Sequence, residues 1–498
     1  MNSLAAFAPG SISSSRQQPM LGLQPACLLP VALLLVAGLA LSGHAAETVR
    51  PPNIVLILAD DAGYGDFGSY GAETIPTPRL DQLAREGLQF TQHYAGSTVC
   101  APSRCVLLTG LHTGHCRIRG NTAGTLLPED VTLAEVLKEA GYRTACIGKW
   151  GVGVPPLDDP ARNGFDEFFG YVSMWHAHNF YPEFLIRNGE KVALDNLVPE
   201  KWKSGDGRGV ASKKVDYVPH LLIDEAVKFI ETNQDRPFFL YYALNTPHAN
   251  NEAQNAPQPE KGMETPSFGP FADRDWPAPE KGFAAMMRDI DLGVGRIVDK
   301  LAELKLEENT LLLFTSDNGP HQEGGHLMEF FNSNGSNRGM KRDLYEGGVR
   351  VPLIIRWPGK IAPGQTTDHL SGFQDLLPTL AAVAGAKAPT DIDGLNLEPL
   401  LLGKKDAPRH EYLYWEFRER GGKRAIRQGP WKLVQRDIMT AKPLPPELYL
   451  LTTDPTEEND IAELHPEQVA RLLPLLQQAH TPSKPYPLFP SEEQPAGK

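Results

Sequence analysis

The segment Asn53-Ile-Val-Leu-Ile-Leu-Ala59 is unbroken in its apolar character after the first residue, and it stops abruptly at Asp60-Asp61. A strand with one wet face alternates polar and apolar side chains, so a continuous run of this length predicts a strand covered on both faces. Similar runs recur at 142–147, 238–243, 310–316 and 352–357. Amphipathic helical patterns alternate with them at 77–86, 132–140, 223–233 and 283–304. Strand and helix in alternation imply an α/β fold, a large mostly parallel sheet sandwiched by helices. Ligands of such sheets bind outside the carboxyl ends of the strands, where Asp60 and Asp61 stand.

Near Ala384-Gly385 the alternation ends. Short strand patterns follow at 412–417, 431–434 and 448–451, then a helical pattern at 466–478. They predict a smaller C-terminal antiparallel sheet with one helix against it. The Pro- and Gly-rich stretch 250–282 reads as a long surface excursion near the active face. At the start, an apolar run over 28–41 precedes Gly43-His44-Ala45-Ala46, a pattern that fits a secretory leader; an uncleaved anchor is the alternative. The expected organisation is a signal peptide over 1–46, a catalytic domain over 47–385 and an α+β subdomain over 386–498. The mature chain is expected to be exported, periplasmic or secreted, without stable membrane association.

The net charge of −13 argues against a nucleic-acid partner. An anionic ligand must therefore find a local cluster of cations. Two acidic pairs, Asp60-Asp61 and Asp317-Asn318, close apolar strands far apart in sequence. On neighbouring strands, the four side chains converge on one hard divalent cation, calcium first and magnesium second, because no His or thiol is needed. Taken alone, each pair reads more readily as a cap or turn. Cys100-Ala-Pro-Ser-Arg104, with Thr109-Gly110 after it, has no adjacent His to make an ordinary thiol nucleophile. Cys105, Cys116 and Cys146 add too few partners for a disulfide framework.

The ordered set Leu-Ala-Asp60-Asp61, Cys100-Ala-Pro-Ser-Arg104, Gly148-Lys149-Trp150, Thr246-Pro-His248, Ser-Asp317-Asn318-Gly and Gly-Met-Lys341 resembles the type I sulfatases of the alkaline phosphatase superfamily. The resemblance spans 53–490. It implies an alkaline phosphatase-like fold and the hydrolysis of sulfate esters by an arylsulfatase-type enzyme. It also implies that Cys100 is oxidised to formylglycine (3-oxoalanine) during transient contact with a formylglycine-generating enzyme. The hydrated aldehyde then attacks sulfur and expels sulfate through its second hydroxyl. By the same resemblance Cys100, Arg104, Lys149, His248, Asp317 and Lys341 are catalytic. Lys149, His248 and Lys341 also bind substrate, and Asp60, Asp61, Cys100, Asp317 and Asn318 are the metal ligands. His248 or Lys341 protonates the leaving alkoxide. Fixed cations suit charge developing on sulfuryl oxygens.

One position departs from the family, which commonly reads Gly-Lys-Trp-His where this chain has Gly151. The segment Trp175-His176-Ala-His178 lies downstream, and His176 or His178 is expected to bind substrate or take the missing role. His321 and His326 suit recognition at the mouth of the site, and Gly-rich loop punctuation is an equal reading. The expected substrate is a sulfated sugar or glycan, with aryl sulfates as surrogates. A phosphate or phosphonate ester hydrolase of the same superfamily is the alternative, as is a non-catalytic sulfated-glycan-binding protein.

Overall fold

The computed structural model describes residues 50–121, 124–153 and 159–492, so the expected leader over 1–46 lies outside the described residues. Among these, no helix is long and apolar enough to cross a membrane. Twelve strands come first: β1 (Asn53–Ala59), β2 (Leu88–Phe90), β3 (His93–Tyr94), β4 (Arg143–Lys149), β5 (Glu167–Tyr171) and β6 (Phe184–Arg187). The series continues with β7 (Glu190–Ala193), β8 (Phe238–Ala243), β9 (Thr310–Ser316), β10 (Leu353–Arg356), β11 (Gln365–Thr367) and β12 (Ser371–Gly372). Ten of them form one sheet in the order β11-β2-β10-β9-β1-β8-β4-β5-β6-β7. The central five, β9 to β5, run parallel, and antiparallel strands flank them on both sides.

The unbroken apolar run of β1 has its reason in the layers around it. Val55, Ile57 and Ala59 face a core built with α1 (Pro78–Arg85), α4 (Val218–Thr232) and α5 (Ala278–Glu303). Ile54, Leu56 and Leu58 face the opposite core, with α2 (Cys100–Thr109), α3 (Leu133–Glu139) and the helix Leu376–Val383. Side chains alternate along the strand, and both faces meet helices, so every position is apolar.

Four further strands, β13 (Leu413–Phe417), β14 (Lys423–Gln428), β15 (Trp431–Arg436) and β16 (Glu447–Leu450), make a separate antiparallel sheet in that order. One face packs Ile426, Leu433 and Leu448 on Leu472 and Leu476 of the helix Pro466–Gln478. The other packs Trp415, Phe417, Val434 and Tyr449 against Val99, Leu344 and Val349 of the large unit. The strand patterns did not predict β14, because Lys423, Arg424 and Arg427 break its apolar run. These cations are buried against acceptors: Lys423 Nζ donates to Arg342 O at 2.7 Å and Arg424 Nε to Gln435 Oε1 at 2.7 Å. The expected excursion over 250–282 ends earlier than its composition suggests, since α5 begins at Ala278, and Met263 and Glu264 are fully buried within it.

Candidate active site

Register brings the acidic pairs together. Ala59 of β1 pairs with Ser316 of β9, so Asp60 and Asp317 leave the sheet side by side. Asp317 N donates to Ala59 O at 3.1 Å, and Asp61 N to Asp317 Oδ1 at 3.1 Å. Asp61 adopts a left-handed backbone, φ 68°, a conformation that a non-glycine residue holds only when its surroundings require it. Asn318 Nδ2 donates to Asp61 Oδ1 at 2.7 Å.

Cations close around these oxygens. Cys100 is the first residue of α2, and Arg104 lies one turn along it. Arg104 grips Asp317 Oδ2 with Nε at 3.0 Å and Nη2 at 2.8 Å, and donates from Nη1 to Lys149 O at 2.6 Å. Lys149, at the last position of β4, donates to Asp60 Oδ2 at 2.7 Å. Lys341 donates to Asp61 Oδ2 at 2.7 Å and to Glu323 Oε2 at 3.0 Å. His248 directs Nδ1 to its neighbour's carbonyl, Ala249 O, at 2.7 Å, which leaves Nε2 as the acceptor 3.0 Å from Lys341 Nζ. All of these groups are buried except Glu323, which is partly exposed.

Burial pushes the Cys100 thiol up, so the unmodified residue is a poor nucleophile. Burial and the adjacent Lys341 ammonium take His248 down to about 3, the neutral ring. Burial also opposes ionisation of Asp60, but the positive groups around it, Lys149 foremost and Arg104 with it, together outweigh burial and hold the carboxyl below the usual range. Asp317, buried and beside the Asp60 charge, is pushed up to about 7.

The donor set suits a hard divalent cation. Asp60 Oδ1 and Asn318 Oδ1 are buried without a hydrogen-bond partner, next to the carboxylates of Asp61 and Asp317. Ligand atoms of Asp60, Asp61 and His248 lie within 4.8 Å of one another. Oxygen predominates in this set, the donor chemistry of a hard cation rather than a softer ion.

The two downstream histidines part ways. The ring of His178 stacks on His248, with centroids 4.8 Å apart and planes 13° apart, and its Nδ1 is 3.3 Å from Glu252. His176 is not brought to the cluster; it packs edge-on to Tyr171 and beside Phe184. His321 joins the site's margin, its Nε2 3.0 Å from Pro247 O, whereas His326 is locked to Glu280 at 2.6 Å. Gly151 has φ +75°, and a Cβ there would lie 3.3 Å from Arg104 Cδ. Sequence reasoning missed Glu323, which bridges Lys341 and Arg342 at 3.0 and 2.6 Å, and Asn121, whose Oδ1 lies 3.6 Å from Cys100 Sγ. The one signal for Glu323 was its place between His321 and His326; Asn121 carried none.

An α/β sheet covered by helices on both faces, with acidic strand tips and a buried cation cluster, is the architecture of alkaline phosphatase-like ester hydrolases. The sulfatase family profile matches residues 52–386, and that of the N-sulphoglucosamine sulphohydrolase C-terminal region matches 339–479. Arylsulfatase A of Homo sapiens is 36% identical over 480 residues, covering 86% of this chain and 85% of its own. N-acetylgalactosamine-6-sulfatase of Sus scrofa is 34% identical over 409 residues, covering 77% and 71%. The crystal structure of Ps i-CgsB in complex with k-i-k-neocarrahexaose superposes with a TM-score of 0.71 at 28% identity, covering 86% of this chain and 92% of that one. The chain belongs to the sulfatase family and is a sulfuric ester hydrolase.

Proposed function

We propose that this enzyme removes sulfate from a sulfated sugar or glycan, using a formylglycine made from Cys100 and a calcium ion, with magnesium second. The observation that carries this reading is the arrangement of Arg104, Lys149 and Lys341 around the head of α2, each holding a carboxylate of the acidic cluster at 2.7–2.8 Å. Relatives named for sulfated sugars and aryl sulfates, and a neighbour solved in complex with k-i-k-neocarrahexaose, support the substrate class. Export, and the domain division at 385, remain part of the same reading.

Asp60, Asp61, Asp317 and Asn318 would hold the metal, which supplies positive charge for the sulfuryl oxygens and lowers the pKa of a bound hydroxyl. A formylglycine formed at Cys100 would supply an oxygen nucleophile and a second hydroxyl for sulfate release, which a serine lacks. The rest of the task falls to the chain itself. Arg104 fixes Asp317 against the Lys149 carbonyl, so the oxygens around Cys100 are held in place before substrate arrives. Lys149 and Lys341 add charge that does not need to reorganise. The leaving oxygen takes its proton from the Lys341–His248 pair. In that pair the mobile proton resides on Lys341, because His248 Nδ1–H is committed to Ala249 O. His178, stacked on His248, keeps that ring in plane.

The test is the peptide mass of the Cys100 tryptic fragment from a host that has the modifying enzyme, with metal analysis of the same preparation. Loss of about 18 Da relative to the cysteine form, with one equivalent of calcium, is the expected result. An unmodified thiol in active protein would withdraw the mechanism. Sugar binding without turnover in the modified protein would favour a glycan-binding role.

A further inference from the structure

Beside the leaving-group pair stands an ion pair that reaches solvent. Glu323 Oε2 is 3.0 Å from Lys341 Nζ and 3.9 Å from His248 Nε2, and Glu323 Oε1 accepts from Arg342 Nη1 at 2.6 Å. Lys341 and His248 are each 2% exposed, whereas the side chains of Arg342 and Glu323 are 21% and 17% exposed. The pair is therefore the solvent side of the catalytic cluster.

Both residues are held by their backbones. Glu323 N donates to His321 Nδ1 at 3.0 Å, and His321 Nε2 donates to Pro247 O at 3.0 Å. Ligand atoms of Asp61, His321 and Glu323 lie within 4.8 Å of one another, but both ring nitrogens of His321 are committed in this way, so that trio is not a metal centre. Arg342 has a left-handed backbone, φ 78°, with its N donating to Thr98 O at 3.0 Å and its O accepting from Lys423 Nζ at 2.7 Å. A non-glycine residue keeps such a conformation only where its surroundings enforce it, and these outliers gather where ligands are held.

The pair lacks an outer partner. One N–H of Arg342 goes to Glu323, and the others meet no acceptor among the described residues. Each carboxylate oxygen of Glu323 takes one of these hydrogen bonds and has a lone pair for another. An apolar group placed here would strip water from both ions and return no hydrogen bond. A second anion would meet the Glu323 carboxylate beside the guanidinium. A hydroxyl suits both, donating to Glu323 and accepting from Arg342. Glu323 stands next to the two groups that serve the leaving oxygen, so that hydroxyl belongs on the carbon adjoining the sulfate ester.

We propose that Glu323 and Arg342 together read a hydroxyl on the carbon next to the sulfate ester, so that the enzyme selects sulfated vicinal diols, the arrangement that the ring carbons of sugars present. The proposal rests on the sulfated-sugar reading above and names the feature of the sugar that is recognised.

The experiment uses the full-length, formylglycine-bearing, metal-loaded enzyme and four aryl esters, with sulfate release read by ion chromatography. Phenyl sulfate has no group beside the ester, catechol monosulfate has a hydroxyl, guaiacol sulfate has that hydroxyl methylated, and salicylate sulfate has a carboxylate. The readout is kcat/KM for catechol monosulfate divided by kcat/KM for phenyl sulfate in the same enzyme, so a general loss from a displaced Lys341 cancels. The wild type is expected to prefer catechol monosulfate by about tenfold or more, because a site built to bond a hydroxyl rejects analogues without it. Guaiacol sulfate is expected to be no better than phenyl sulfate. In Arg342→Met and in Glu323→Ala the preference for catechol monosulfate is expected to be lost. A wild type without that preference overturns the proposal. So does a preference unmoved in both variants, since the pair would then only hold Lys341. Preference for the salicylate ester would assign Arg342 to a second anion, and loss of bound calcium in Glu323→Ala would assign Glu323 to the metal; either overturns it. If the wild type cleaves none of the four, the catalytic reading fails separately. Calorimetric Kd values for catechol monosulfate and phenyl sulfate then decide the pair alone, with tighter binding of catechol monosulfate expected and equal values overturning it.

Discussion

At Gly151 the backbone decides what the side chain can be. Its φ of +75° lies in the left-handed region, which glycine enters freely and a residue with a Cβ enters at about 1 kcal/mol or more. A Cβ would also press within 3.3 Å of Arg104 Cδ, and Arg104 is committed at both ends to Asp317 and the Lys149 carbonyl. Restoring the histidine common in the family is therefore expected to harm this protein. Gly151→His should lower Tm by a few degrees and kcat by at least about tenfold, since a shifted Arg104 loses fixed charge at the reacting centre. Calorimetry and aryl-sulfate kinetics check both. A gain in kcat would mean that His178 does not occupy the space a histidine at 151 would use.

Between elements, the connection after β1 carries a buried acid that is separate from the site. Asp66 closes the short turn Tyr64–Asp66 by accepting from Gly63 N at 2.7 Å, while its Oδ1 has no partner. Burial pushes its carboxyl up to about 7. A folded pKa above the unfolded value of about 4 means that its contribution to stability is complete below pH ~4 and is lost as pH rises towards 7. Asp66→Asn keeps an acceptor for Gly63 and cannot ionise. Its Tm advantage over the wild type is expected to be small at pH 5 and to grow to several degrees at pH 8, read by thermal melts across that range. A constant difference would show that Asp66 does not titrate in this window.

For the whole molecule, the C-terminal sheet is part of the catalytic structure through one buried lysine. Lys432, fully buried on β15, bridges Glu346 at 2.9 Å and Glu457 at 3.0 Å. Glu457 in turn accepts from Glu346 N at 2.6 Å, and Lys423 holds Arg342 O at 2.7 Å. Arg342 follows Lys341 directly in the chain and Glu346 soon after, so these contacts hold the segment that presents it. Lys432→Met would leave Glu457 buried without its cation and Glu346 with only its longer contacts to Arg350 and Arg427, a loss of about 3–5 kcal/mol. The expected outcome is a Tm lowered by roughly 5–10 °C and a fall in kcat that added metal does not rescue. Wild-type kcat in a destabilised variant would separate the two roles.

The sequence by itself determined the layered α/β architecture, because unbroken apolar runs such as β1 have no stable place except between two helical layers. Its ordered motifs also named Asp60, Asp61, Cys100, Arg104, Lys149, His248, Asp317, Asn318 and Lys341, which the fold gathers into one buried cluster. Periodicity was silent where charge is buried by specific partners, as in β14, and where strands at the sheet edge are short, as in β6 and β7. It was equally silent on which of His176 and His178 turns toward His248, since that depends on a single short turn. Glu323 and Asn121 enter the site only through distant chain segments meeting. Such pairings are set by three-dimensional register and desolvation, not by local spacing, and only the tertiary structure decides them.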